Sequence, residues 1–436
     1  VHIRSNKNIC GNPVLTFKTA SSGNEGIAGL NIECSCGAHA TLRDAFDKDI
    51  FYKLDNNGEK SNFICEGHHP FKHTKEPCSC YPKTSQRGSS SVYFPVVYSS
   101  LVIPPYANKL NTQIEQSQGY EKFLTIIEDE EPEYRDETIN EKLPKWTAKI
   151  ATEIGAPYDS VEKILRMNLL ESKDIPEVTS IKYRFEEYMA LTGEITIPAN
   201  SSGDFSVRKY PGEQYSLPHI KSVSLVNKIR VVHALTGFSR INPVSQMSDN
   251  GFVSIKQPET QWYPAYEVRG EGIFIEFLQE DIDKWIENDP SIGKRTQKIR
   301  SNYERSFIKN IPSNMITPKF VMLHTLSHLL ITQLSFECGY SIASLSERIY
   351  CSEKDGRVMA GILIYTASGD SEGTLGGLVR QGQPDAFPQI FKKAINNAKI
   401  CSNDPICIMS EGQGRDSLNL AACHTCALLP ETCCED

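Results

Sequence analysis

Cysteine is gathered at the two ends of this chain. Of its fourteen cysteines, six (Cys10, Cys34, Cys36, Cys65, Cys78, Cys80) precede residue 81 and six (Cys401, Cys407, Cys423, Cys426, Cys433, Cys434) follow residue 400. Clustered thiols serve as disulfides, metal ligands or nucleophiles, and chain size helps to choose among them. A chain of 436 residues can bury about two or three ordinary cores, so it needs no disulfide staples. Pairs as close as Cys34-Ser35-Cys36 and Cys423-His424-Thr425-Cys426 put two soft ligands on one turn. That is half of a tetrahedral thiolate site with sulfur ~2.3 Å from zinc. Two zinc knots bracketing a cysteine-poor middle are expected, with buried free thiols as the plainer alternative.

The ligand sets follow from spacing. At the C-terminal end Cys407, then Cys423, Cys426 and Cys433, make a closed four-ligand set. A closed set leaves no position for substrate and is structural. Cys401 and Cys434 are left over, and either could replace a neighbour. At the N-terminal end the preferred set is Cys34, Cys36, Cys65 and Cys78, with Cys80 competing for the last role. Cys10 stands apart. The chain opens at Val1 and not Met, so a native N-terminus further upstream is expected, and Cys10 could pair with ligands there.

Hydrophobic residues are 39% of the chain and charged residues 23%, with a net charge of −8, the composition of a globular protein. No apolar run reaches the ~18 residues of a membrane-spanning helix. The longest, from Val321 to Leu334, is interrupted by His324, His328 and Gln333. With no visible signal peptide and a metal-type use of thiols, a cytoplasmic protein without membrane contact is expected. The negative balance argues against a wholly nucleic-acid-binding surface but allows a local basic stripe.

The expected fold class is α+β with an α/β C-terminal layer, in several domains, with zinc modules near both ends. Residues 1–105 read as a β-rich cysteine module ending in the strand-like Val92-Tyr93-Phe94-Pro95-Val96-Val97-Tyr98. Residues 106–200 read as mainly helical, with Val161, Ile164, Leu165 and Leu169 at near-helical spacing and a solvated acidic stretch at 128–131. Residues 201–290 read as β again, on the alternation from Gly272 to Leu278, while Lys228 to Phe238 fits a short helix or a strand. Residues 291–436 alternate helix and strand. Within them Met359 to Tyr365 is a continuous apolar run, as in a strand covered on both faces.

Several constellations could carry chemistry. His324 and His328 stand at i and i+4 on one helix face, the spacing of zinc peptidases. Thr325 occupies the place of the general base and cannot serve, so a hydrogen-bonded core pair is favoured over a metal site. The loop Gly369 to Gly377 follows the buried strand without the Lys of a phosphate-binding Walker loop. Its Asp370 and Glu372 could ligate metal in a nuclease, the alternative function, or form a hydrogen-bonded turn. Lys294, Lys298, Arg300 and Arg305, with Tyr303 among them, could meet nucleic-acid phosphates from one helix. A solvated helix face is the plainer reading of the same run.

The C-terminal third resembles a known family. Its strings are His324-Thr-Leu-Ser-His-Leu-Leu-Ile, Glu337-Cys-Gly-Tyr-Ser, Ser346-Glu-Arg-Ile-Tyr, Ile364 to Leu378, Asp404-Pro-Ile-Cys and Ala422-Cys-His-Thr-Cys-Ala-Leu-Leu-Pro-Glu-Thr-Cys. They look like the DrmB family of the bacterial DISARM anti-phage system, and the last also resembles the cysteine-rich zinc module of MrfA-type DNA-repair helicases. Arg87 to Pro95, Leu235 to Ile241 and Trp262 to Phe274 extend the resemblance across most of the chain. It implies a non-catalytic, zinc-binding partner of a DrmA-type helicase, the pair engaging phage DNA while the helicase hydrolyses ATP. It maps the module's cysteines onto Cys407, Cys423, Cys426 and Cys433. Family members usually carry more N-terminal sequence, ending near a Trp-rich segment, so this chain is expected to be truncated.

Overall fold

A computed structural model describes the chain except residues 1–9, 13, 20–29, 42–49, 53–64, 70–73, 76–77, 79, 83–92, 105, 132, 171–180, 195–202, 241–243, 245–246, 248–250, 257–261, 306–312, 367–375, 415–416, 431–432 and 436. Two units are distinct, Val1–Val92 and Tyr93–Asp436.

Among its described residues the first unit holds five short strands: β1 (Leu15–Thr19), β2 (Leu30–Cys34), β3 (His39–Thr41), β4 (His68–His69) and β5 (Thr74–Lys75). The first three make an antiparallel sheet in the order β1-β2-β3, and β4 pairs with β5. The Cys34-Ser35-Cys36-Gly37 string is the β2–β3 turn. Gly37 closes it with φ of 86°, donating its N–H to the Cys34 carbonyl at 2.9 Å, a backbone shape that glycine adopts without a Cβ penalty.

The second unit begins with β6 (Tyr93–Leu101) and the helices α1 (Lys109–Glu115), α2 (Gln118–Glu128), α3 (Arg135–Ile154), α4 (Tyr158–Leu169) and α5 (Ile181–Leu191). Next come β7 (Ser206–Pro211), β8 (Ile220–Arg240), β9 (Val253–Ser254) and β10 (Ala265–Phe277). Helices α6 (Gln279–Asn288), α7 (Pro290–Arg305) and α8 (Pro318–Cys338) lead to β11 (Leu345–Ser352) and β12 (Met359–Thr366). Helices α9 (Gly377–Gln381) and α10 (Phe387–Asn397) follow. One seven-stranded sheet runs β11-β12-β10-β8-β6, with β7 and β9 also on β8, and every pairing is antiparallel. The mixture of helix and sheet agrees with the expected class. The segment Lys228 to Phe238, readable as helix or strand, lies inside the 21-residue β8, where pairing with β6 and β10 on its two edges decides what periodicity left open.

Strand β12 is buried at all eight positions, as its apolar run predicted. Ala360, Ile362 and Ile364 join a core with Leu323, Leu330, Ile331 and Leu334 of α8 and Phe387 and Ile390 of α10. Met359, Leu363 and Tyr365 face the opposite core, with Tyr188, Ala190 and Leu191 of α5. Helices α1 to α4 bury a third cluster around Phe123, Leu143, Ile150 and Leu165.

Helix α8 is positioned by both ends. Thr317 accepts the Phe320 N–H in its side chain at the N-cap, Pro318 opens the first turn, and Gly339 stops the helix with φ of 71°. Strand β11 packs beside it, and the chain returns along β11 near its end. The Glu347 N–H meets the Cys433 carbonyl at 3.1 Å, and Glu435 inserts between Arg184 and Arg348. Arg348 is itself fully buried, bonded to both carboxylate oxygens of Glu187 at 2.8 and 3.0 Å and to Ser99.

Candidate metal centres

The loop after α10 gathers four thiols. Cys401, Cys407, Cys423 and Cys426 place their sulfurs within 4.8 Å of one another, with Cys401–Cys423 at 3.6 Å and Cys407–Cys426 and Cys423–Cys426 at 3.8 Å. A tetrahedron with ~2.3 Å zinc–sulfur arms has edges of about 3.8 Å. Asp404 folds the first half: its carboxylate accepts the N–H of Cys401 at 2.9 Å and of Ile408 at 3.0 Å, so Cys401 and Cys407 come to one side of the loop.

Each sulfur accepts an N–H. Asn403 gives its backbone N–H to Cys401 at 3.4 Å and its amide to Cys423 at 3.5 Å. Gln413 gives its amide to Cys407 at 3.3 Å, and the Cys423 N–H points at Cys426 at 3.3 Å. Donors of this kind stabilise thiolates and fix their direction. The Thr425 N–H, aided by Asn403, holds the Cys423 thiol down at about 5, whereas burial pushes Cys426 up to about 12. The donor set fits zinc: four soft ligands, tetrahedral spacing and no open corner.

Cys401 stands at the corner that spacing assigned to Cys433. Cys433 is buried with the tail on β11, and its Sγ donates to the Ile342 carbonyl at 3.1 Å. Its backbone is committed to that strand edge, which turns the side chain away from the thiolate loop. At the N-terminal end Cys10, Cys34 and Cys36 come together, with Cys10 and Cys34 sulfurs 3.9 Å apart. The Cys36 N–H lowers the Cys34 thiol to about 6. The structure does not bring Cys65 or Cys78 into that group. Cys65 instead pairs its backbone with Cys80 at 2.9 Å, and its sulfur accepts the Gly67 N–H. Cys10 precedes β1 by several residues, so only the sheet reveals its place beside the β2–β3 turn.

A third gathering was missed by spacing. His324 and His328 of α8, Glu347 of β11 and Cys434 of the tail each offer one ligand atom within 4.8 Å of the others. Burial opposes charge on both imidazoles, but the neighbouring Cys434 and Glu347 outweigh it. His324 is raised well above its ordinary value and His328 to about 9. Burial likewise opposes the Glu347 carboxylate, and the two imidazoles hold it far below the carboxylate range. The i, i+4 pair was the signal available; its third and fourth partners are remote in sequence.

Comparison with known proteins decides the family. The DISARM protein DrmB of Bacillus paralicheniformis (strain ATCC 9945a / NCIMB 11709 / CD-2) is 32% identical over 435 residues, covering 95% of this chain and 72% of that protein. The chain belongs to the DrmB family. A domain described as the MrfA Zn-binding domain matches residues 326–427 of this DrmB-family chain, and a domain of unknown function (DUF8724) matches residues 1–94. The zinc-domain match runs from within α8 through the four-thiolate loop, so the chain is an anti-phage defence component with a zinc-binding domain related to that of MrfA. A crystal structure of the DUF1998 helicase MrfA bound to DNA aligns with 45% of the chain and 21% of its own length, at 12% identity and a TM-score of 0.24.

The remaining residues singled out by sequence are dispersed. On α7, Lys294 is exposed, Lys298 pairs with Glu411 at 3.0 Å, Arg300 donates to the Ile316 carbonyl at 2.7 Å, and Arg305 bonds Asn302. Asn302 in turn donates to the Ser417 carbonyl at 2.9 Å, so α7 flanks the thiolate loop. Asp370 and Glu372 lie outside the described residues. Just after them the N–H groups of Gly376, Leu378 and Val379 all point at the buried Glu271 carboxylate, at 2.8, 2.8 and 3.3 Å. The chain's own anion thus fills the start of α9, where a phosphate could otherwise sit. Among the described residues no helix is long and apolar enough to cross a membrane.

Proposed function

We propose that this DrmB-family chain is a non-catalytic, zinc-stabilised cytoplasmic subunit that docks a DrmA-type helicase and helps to hold DNA while the helicase hydrolyses ATP. The observation that carries the reading is 32% identity to a DISARM DrmB over 95% of the chain, joined to a closed four-thiolate centre with no open ligand position. Two surfaces beside that centre support it. Ile400, Ile406 and Met409 are 78%, 80% and 76% exposed, with Ile408 close by, a clustering of apolar side chains typical of partner surfaces. Across the loop, Lys294 and Lys298 of α7 supply positive charge for phosphates, with Arg305 at the helix end. Arg300, committed to the Ile316 carbonyl, serves the helix more than a ligand.

The test is co-purification with a DrmA-type helicase, followed by DNA binding and DNA-stimulated ATP hydrolysis. Ile406→Glu combined with Met409→Glu is expected to abolish co-purification. Lys294→Glu with Lys298→Glu is expected to weaken DNA binding by the complex and flatten its salt dependence. Failure to form a complex with any helicase of that type would remove the docking role. DNA cleavage by the isolated chain with Mg²⁺ or Mn²⁺, abolished by Asp370→Ala, would replace the whole reading with that of a nuclease.

A further inference from the structure

The cluster on α8, β11 and the tail combines two imidazoles, one carboxylate and one thiol, drawn from three separate segments. We propose that His324, His328, Glu347 and Cys434 form a second, closed zinc site in this part of the chain, distinct from the four-cysteine centre.

The four ligand atoms converge to distances that a shared ion could occupy with small adjustment. His324 Nε2 lies 3.1 Å from Cys434 Sγ and 3.2 Å from Glu347 Oε1, and His328 Nε2 lies 3.4 Å from the same Oε1. Ligands on arms of ~2.0 Å for nitrogen and oxygen and ~2.3 Å for sulfur stand roughly 3.3–3.5 Å apart around a tetrahedral zinc. The two rings are edge to face with centroids 4.5 Å apart, so their Nε2 atoms converge without stacking.

The surroundings prepare each group as a ligand. His328 Nδ1 faces the Ala427 carbonyl at 2.9 Å. That acceptor places the ring proton on Nδ1 and leaves the lone pair on Nε2, the usual arrangement behind a metal-bound histidine. His328 Nε2 is buried, and its approach to Glu347 Oε1 at 3.4 Å is not aligned as a hydrogen bond. Glu347 is fully buried, and Ser327 Oγ donates to its Oε2. Its Oε1 is left to face both histidines, with only the Glu435 N–H nearby at 3.4 Å. Thr325, at the position where a peptidase carries its base, donates to the Val321 carbonyl at 2.8 Å and takes no part.

Charge and softness select the metal. One carboxylate and one thiolate neutralise a dication, while two neutral imidazoles complete its shell, so a desolvated site carries no net charge. Magnesium and calcium require oxygen ligands, whereas a mixed nitrogen, oxygen and sulfur set suits zinc. All four corners belong to the protein, so the role is structural. The ion would tie the tail at Cys434 to α8 and β11. Through the Ala427 carbonyl that His328 bonds, it would also abut the turn bearing Cys426.

Zinc content of the full chain tests this. Cys434→Ser is expected to carry one zinc fewer per chain than the unmodified protein, Cys423→Ser to lose a different one, and the double variant to lose both. Retention of the full zinc content by folded Cys434→Ser would overturn the site. Should that variant fail to fold, ¹⁵N-histidine spectra of the unmodified zinc-loaded protein decide. Two imidazoles with protonated Nδ1 and metal-bound Nε2, unchanged between about pH 6 and about pH 8, are expected. Free titration of both would refute the proposal.

Discussion

The four-thiolate loop and the mixed cluster beside α8 lie close along the same stretch of fold, yet they are assembled in opposite ways. The loop draws its ligands from residues 401 to 426, and its supporting donors, Asn403 and Gln413, from within the same segment. The mixed cluster draws on a helix, a strand and a tail, and the residue after its last ligand, Glu435, is held by Arg184 and Arg348. Ligation built from neighbours can form when a segment folds on itself. Ligation built from afar reports that the whole layer has formed.

The contrast is open to test. Arg348→Ala removes the cation between the buried Glu187 and Glu435 and is expected to destabilise the fold by about 3–5 kcal/mol. It should loosen Cys434 while the four-thiolate loop keeps its zinc. Denaturant titration read beside zinc stoichiometry separates the two, and joint loss of both would show that the centres are not independent. A smaller effect is expected for Gln413→Ala. By removing the donor to Cys407 it should weaken zinc at the loop by about 10–100-fold in chelator competition and leave the mixed cluster unchanged.

Glu276 provides a control carboxylate away from both centres. Burial opposes its ionisation, but hydrogen bonds from Lys221 and Ser222 and the charges of Lys221 and Lys209 hold its carboxyl below the ordinary value. A depressed folded value means that its contribution is complete above the unfolded value of about 4.3 and is lost as pH falls through the folded one. Glu276→Gln is expected to cost about 1 kcal/mol near neutrality and to flatten the acid limb of stability measured by denaturation at a series of pH values. A steep acid limb persisting in that variant would trace it to other groups. The smallest effect belongs to Lys298→Ala. Its pair with Glu411 is solvent-exposed, so stability should change by less than about 1 kcal/mol, and a larger loss would show that α7 braces the thiolate loop.

What the sequence made legible follows the same division. The apolar run of β12 and the cysteine pairs at the two turns are local patterns that the structure contains, whereas the Gly272–Phe277 stretch of β10 is a strand buried at every position, its alternating side chains serving two cores and not one core and solvent. The fourth corner of the loop was not legible. Cys401 and Cys433 flank the other three cysteines at comparable distances, and the choice depends on Asp404 turning one loop and β11 capturing the other. The same limit hid Cys10, brought to Cys34 by the pairing of β1 with β2. With Thr325 in place of a base and no third ligand near in sequence, His324 and His328 read as a core pair; Glu347 and Cys434 reach them only through the packing of β11 on α8 and the docking of the tail. Spacing brought the right kinds of side chain to attention, while strand edges and loop turns set which of the equivalent candidates the structure gathers.

Strand β8 sets the order in which this chain can be made. Its Ile220–Arg240 backbone pairs with β6, synthesised long before it, and with β10, synthesised after it, while β10 in turn waits for β12. On the ribosome β8 therefore emerges with one edge satisfied and the other open, and that edge closes only after Phe277 has been added. Unpaired strand edges of this kind recruit other chains. The demands of biogenesis thus fall on the middle of the chain, where there is no metal-ligand cluster among the described residues to hold an intermediate together.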